Sequence, residues 1–164
     1  MSQAQNLANS ITELFSGEHA SWFISFNDSV SGLSAEQAAR SPGENFNSIW
    51  KIVNHVRFWQ EVTTHIMRDM DADFEALGDK NGWPPAGDPS DEAGWKAACE
   101  RALRTNQGLA AVVAAMSDAQ LDERYERWDE TKAQIAIGSA AHNGYHINEI
   151  ISMRHMQGWW LERT

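Results

Sequence analysis

Cysteine occurs once, at Cys99, so no intrachain disulfide can form and nothing points to an oxidising compartment. Long apolar runs are missing as well. No segment approaches the roughly 18 to 20 unbroken apolar residues of a membrane span. The opening Met1-Ser2-Gln3-Ala4-Gln5-Asn6 has neither a basic region nor an apolar run after it. No export signal is therefore expected, and the cytoplasm is the expected location. Basic residues are scarce, 13 Lys and Arg against 23 Asp and Glu, a net charge of −10. Such a surface repels phosphate backbones, and no local Lys/Arg cluster offsets it, which argues against a nucleic-acid partner. Internal repeats, low-complexity segments and alternating strands are absent too. So are a phosphate-cradling glycine loop, a Gly-x-Ser-x-Gly elbow and the paired Glu-x-x-His motifs of di-iron bundles.

What the chain does have is tryptophan and helical periodicity. Eight tryptophans must be covered by a core, a pocket or a partner. At 164 residues a single domain spanning 1–164 is expected, long enough to bury a sizeable core. Four long helices are expected, joined by turn-rich stretches. The first covers residues 3–30, with Leu7, Ile11, Leu14, Trp22 and Phe26 at helical spacing and a bend near Gly17. Asn47 or Ser48 opens the second, which continues to about Asp71 on the stripe Ile52, His55, Trp59, Val62, Ile66. A loop rich in Gly, Pro, Asp and Asn covers residues 77–89. Within it, Trp83 either covers a pocket mouth or packs locally. Ser90 opens the third helix, and Ser34 and Ser117 each fit a capping box starting a short turn of helix. Residues 123–130 read as a charged, exposed passage. The fourth helix runs from near Thr131 to about Gln157, stopped by Gly158.

One face of that last helix reads Ile135, Gly138, Ser139, His142, His146, Glu149, Met153; roughly opposite lie Ala136, Ala140, Ile147 and Ile151. A helix apolar on two sides is buried on two sides, which suggests a two-fold homodimer unless the Trp159-Trp160 tail or a loop folds over it. His142 and His146 are an (i, i+4) pair, one turn apart on one face, and can reach a single cation. His55 joins them from the second helix. Three neutral imidazoles in one core would each need partners, and a shared divalent ion satisfies all three.

The segments Ser48-Ile49-Trp50-Lys51-Ile52-Val53-Asn54-His55 and His142-Asn143-Gly144-Tyr145-His146-Ile147-Asn148-Glu149-Ile150, in that order, resemble the DinB/YfiT-like superfamily of metal-dependent four-helix bundles. The resemblance implies an all-α, up-down-down-up bundle, often dimeric. It also implies His55, His142 and His146 as ligands of zinc, nickel or a similar ion. Several relatives are transferases or isomerases using a low-molecular-weight thiol such as bacillithiol or mycothiol. In that family the second metal histidine is commonly followed by a Gly-Gln-Ile-like run; here the run is Asn148-Glu149-Ile150, which adds a carboxylate. Glu149 is read first as an outer acceptor for a ligand histidine, with a proton-shuttling or ligating role as alternatives. Trp59, Ser139 and His19 are the candidate pocket walls, His19 otherwise a packing residue between Phe15 and Phe23. His65 and His155 fall off the ligand stripes, and Cys99 reads as an inert buried thiol.

Two functions from different classes follow. One is an enzyme that transfers a thiol to a small electrophilic substrate, or uses the same metal for hydrolysis. The other is a non-catalytic, metal-stabilised dimeric binding or stress-response module.

Overall fold

The computed structural model describes residues 1–17, 22–77 and 79–161. Helix α1 spans Gln3–Ser16. It starts where the Ser2 hydroxyl accepts the Gln5 N–H, and it buries Ala4, Ala8, Ile11 and Phe15 on one face. It stops at Gly17, whose φ of 73° and N–H bond to the Glu13 carbonyl form a left-handed helix end. The single helix expected over residues 3–30 is therefore two. Gly17 does more than bend the chain: a side chain there would meet Ser25 at 2.6 Å. Ser25 then caps a new helix, α2, at Phe26–Val30, and Phe26 stacks on Phe15 at 4.5 Å between ring centroids. Trp22, assigned by periodicity to the buried stripe, is 94% exposed.

Ser34 and Gln37 close the expected capping box before α3, Ala35–Ala39. Helix α4, Ile49–Met67, is capped by Ser48. It ends a turn sooner than periodicity predicts, because Asp69 turns into the left-handed region at φ 55°. Helix α5, Glu92–Ala114, takes Asp91 as its cap, one residue beyond the expected Ser90. The Ser117–Gln120 box opens α6, Asp118–Asp122. The stretch expected as an exposed passage, residues 123–130, holds β1, Arg124–Tyr125, and the first residue of β2, Glu130–Thr131, which pair as a two-stranded ladder. Strands of two residues have no period to detect. Thr131 and Gln134 then form a third capping box at the head of α7, Lys132–Met156, and Gly158 follows at φ 77°.

Helices α5 and α7 each pack against both α1 and α4. Two apolar clusters stack along the bundle. One holds Phe15, Ile52, Trp95 and Ile150; the other holds Ile11, Val62, Leu109 and Ile135. Helices α1 and α7 enter the second cluster first and the first cluster last, whereas α4 and α5 do the reverse. Two helices thus run each way, and the fold is all-α apart from the small ladder. No helix among the described residues is long and apolar enough to cross a membrane.

The α7 face that suggested a second copy is covered within the chain. Ala136 and Ile147 are buried, and Ala140 and Ile151 pack against the two clusters. The apolar surplus on α7 is explained by its place between α1 and α4.

Lys132 anchors the start of α7. It is almost fully buried, with Nζ donating to Asp69 and Glu123 at 2.7 Å each. Burial works to lower its pKa, but the two carboxylates raise it on balance. The carboxylates themselves are well exposed, so they rehydrate readily when the cation is lost. Lys132→Met is expected to cost about 1–2 kcal/mol in urea unfolding, less than a fully buried pair would. Adding Asp69→Asn should cost less than the sum of the single changes; strict additivity would mean the pair does not couple.

Candidate metal centre

The level at which the two clusters meet is polar. Helix α4 presents His55 there between buried Ile52 and the indole of Trp59, and the neighbouring α7 presents His142 and His146 on successive turns. One ring nitrogen from each histidine lies within 4.8 Å of the other two. His55 Nε2 and His142 Nε2 are 3.1 Å apart. His55 and His146 are buried and His142 is half-buried.

Outer partners decide which nitrogens face inward. His55 Nδ1 lies against the carbonyl oxygen of Gly82. A carbonyl only accepts, so Nδ1 carries the proton and Nε2 keeps its lone pair for the centre. His146 Nδ1 lies 2.7 Å from Glu149 Oε2, and a carboxylate sets the same tautomer. Glu149 thus lies in contact with His146, one of the three candidate ligands. The loop between α4 and α5 reaches His55 because it lies along α4. Asn54 Nδ2 donates to the Pro85 carbonyl at 2.6 Å, and Gly82 adopts φ 74° where a side chain would crowd Trp59 at 3.0 Å. Trp83 of that loop stacks on His55 at 3.6 Å between centroids and 12° between planes, and it meets His146 edge-on. It covers one side of the cluster.

Burial pushes the His55 imidazole down to about 4; the Gly82 carbonyl works against that fall and the neighbouring His146 adds to it. His142 is likewise pushed down to about 4, by burial first and then by His146 and His55. Both rings are neutral at pH 7, with lone pairs available. Three imidazoles, two of them held in the tautomer that points Nε2 inward, fit a divalent cation, and the donor set suits zinc, nickel, copper and iron alike.

A cavity of about 420 Å³ opens beside His55 and His142. Trp59 and Thr63 line it from α4, and Ile135, Gly138 and Ser139 from α7. Trp128, in the turn between β1 and β2, and Glu130 at the start of β2 line it as well. Of the expected pocket walls, Trp59 and Ser139 are in place, and His19 lies outside the described residues. His65 instead faces the Asp71 carbonyl, and His155 stacks on Trp160. Cys99 packs at the edge of the first cluster, where burial pushes its thiol up to about 12 and leaves it without nucleophilic character. Sequence reasoning missed the Gly82 carbonyl, Trp128 and Glu130. A tryptophan standing inside a charged run was the one available signal for the last two.

Residues 25–150 match the family model described as the DinB superfamily. That span holds all three histidines, Glu149, the Gly82–Trp83 turn and the ladder. No curated protein and no solved structure matches the chain.

Proposed function

The chain belongs to the DinB superfamily, and we propose that it is a divalent-metal-dependent enzyme transferring a low-molecular-weight thiol to a small electrophile. The observation that carries the reading is the inward-facing set of His55, His142 and His146 nitrogens beside a cavity large enough for a small molecule. Three protein donors with room beside them are the pattern of catalytic rather than closed structural sites. A divalent ion held there supplies Lewis acidity, lowering the pKa of a thiol, or of water in the hydrolytic version of the reading.

The chain's own residues set the geometry. Gly82 and Glu149 fix the orientation of two imidazoles, Trp83 shields them on one side, and Trp59, Trp128 and Ile135 give the cavity apolar walls. In the transfer, the thiol loses its proton to solvent. Its sulfur forms a C–S bond at the electrophilic carbon, and the leaving group departs with the displaced electron pair.

The test is a screen of thiols of the bacillithiol and mycothiol type, with glutathione, against haloaromatic and epoxide electrophiles on metal-loaded protein. Expected is thioether formation that depends on metal and disappears in His142→Ala. Metal-loaded protein that consumes none of these pairs, and hydrolyses none of the electrophiles, would sink the enzymatic reading.

A second reading has one observation in its favour. Trp83 already covers one side of the histidines, as in a site that holds its ion without turnover. Under that reading the protein is a metal-stabilised binding module. A cobalt-substituted protein whose visible spectrum is unmoved by added thiol would support it, and a shifted spectrum would remove it.

A further inference from the structure

At Trp128 and Glu130 the cavity wall changes character. Glu130 is the acidic residue among those lining the cavity, and no lysine or arginine lines it. Its carboxylate forms no ion pair among the described residues. Beside it, Trp59 and Trp128 form a tilted corner, 6.3 Å between ring centroids and 50° between planes. Indole faces carry negative electrostatic potential and attract cations. Thr63 donates its hydroxyl proton to the Trp59 carbonyl at 2.8 Å, which leaves the hydroxyl oxygen with lone pairs to accept. A carboxylate, two indoles and an accepting hydroxyl at this end all favour positive charge in direct contact with them.

We infer, resting on the enzymatic reading of this cavity, that its natural occupant is a small, largely apolar molecule carrying an ammonium group. Trp59, Trp128 and Glu130 are the contacts that select it. The apolar body lies along Trp59 and Ile135. The ammonium protons go to Glu130 and the Thr63 hydroxyl, so the occupant's other end is turned toward His142. Glu130 is a specificity determinant, with no part in bond making.

Benzylammonium and benzyl alcohol separate charge from shape, being nearly the same size. Titrated calorimetrically into the protein as purified, the amine is expected to bind about tenfold more tightly than the alcohol. Glu130→Gln should remove most of that preference. Its side chain is exposed and its backbone pairing with Tyr125 remains, so the fold is retained. Trp128→Leu should weaken the amine more than the alcohol. Glu126→Gln, an equal loss of charge in the neighbouring turn, should leave the preference intact. Equal binding of the two compounds, no saturable binding of either, or an equal effect of Glu126→Gln and Glu130→Gln would overturn the assignment. The preference is read by binding alone. Failure of the thiol screen therefore leaves it standing, and its own failure leaves thiol transfer standing.

Discussion

His142→Ala will emerge from purification with less than roughly a tenth of the metal carried by the parent, which is expected to hold about one divalent ion per chain. His55→Ala should behave alike, whereas His65→Ala, with its ring against the Asp71 carbonyl, should keep the parent's content. The reason is geometric. His142 Nε2 stands 3.1 Å from His55 Nε2, whose lone pair faces it, so the gap is filled either by a His142 proton or by a cation that both nitrogens share. Removing either ring leaves two donors, too few to retain a transition metal through dialysis. Because His55 and His142 belong to different helices, the ion also clamps α4 to α7. With metal at about a thousand times its dissociation constant, binding contributes roughly 4 kcal/mol. Stripping it with a chelator should lower the melting temperature by roughly 8–16 °C for a chain of this size. Elemental analysis and a melting curve check the two parts. Equal metal in all four proteins, or a melting point indifferent to the chelator, would contradict them.

The metal-free protein should lose stability steadily as pH falls from about 6.5 to about 4. At pH 7 both the folded and unfolded states hold His55 and His142 neutral, so the pair contributes nothing to the difference. Below 6.5 the unfolded chain takes up two protons. The folded chain does not, because burial holds both imidazoles down to about 4. The unfolded state then binds more protons, and stability rises with pH across that window and falls with acid. Each histidine would forfeit at most about 3 kcal/mol. Discounting for the half-exposed His142, the pair amounts to something on the order of 3–5 kcal/mol. Urea unfolding in the presence of a chelator at pH 7.0 and 5.0 samples most of the slope while avoiding the range where carboxylates titrate. His55→Leu with His142→Leu should flatten it. A metal-free parent as stable at pH 5.0 as at 7.0 would show that these rings are not held neutral by the fold.

How much of this was legible beforehand follows from the range of each signal. Ser34, Ser48, Ser117 and Thr131 act within three residues of themselves, so the helix starts they cap could be read directly. The histidines were legible because a helix converts spacing into direction: His142 and His146 share a face, and the apolar neighbours of His55 turn it inward. The break after Ser16 was underestimated. Trp22 and Phe26 keep helical spacing by coincidence, and one left-handed glycine outweighs that pattern. Contacts made across the bundle left no local trace. Nothing near Gly82 in the chain announces that its carbonyl will meet a ring 27 residues earlier, and Glu130 faces the cavity only because a two-residue ladder turns it there.

The atom that orients His55 belongs to the main chain, and every amino acid carries the same carbonyl. Much of the connection from α4 to α5 can consequently be rewritten by mutation without disturbing the imidazole, provided the number of residues, the left-handed bend at Gly82, the Trp83 indole stacked on the ring and the close approach of Gly87 to Trp50 survive. A single deletion in that stretch would be more harmful than many replacements.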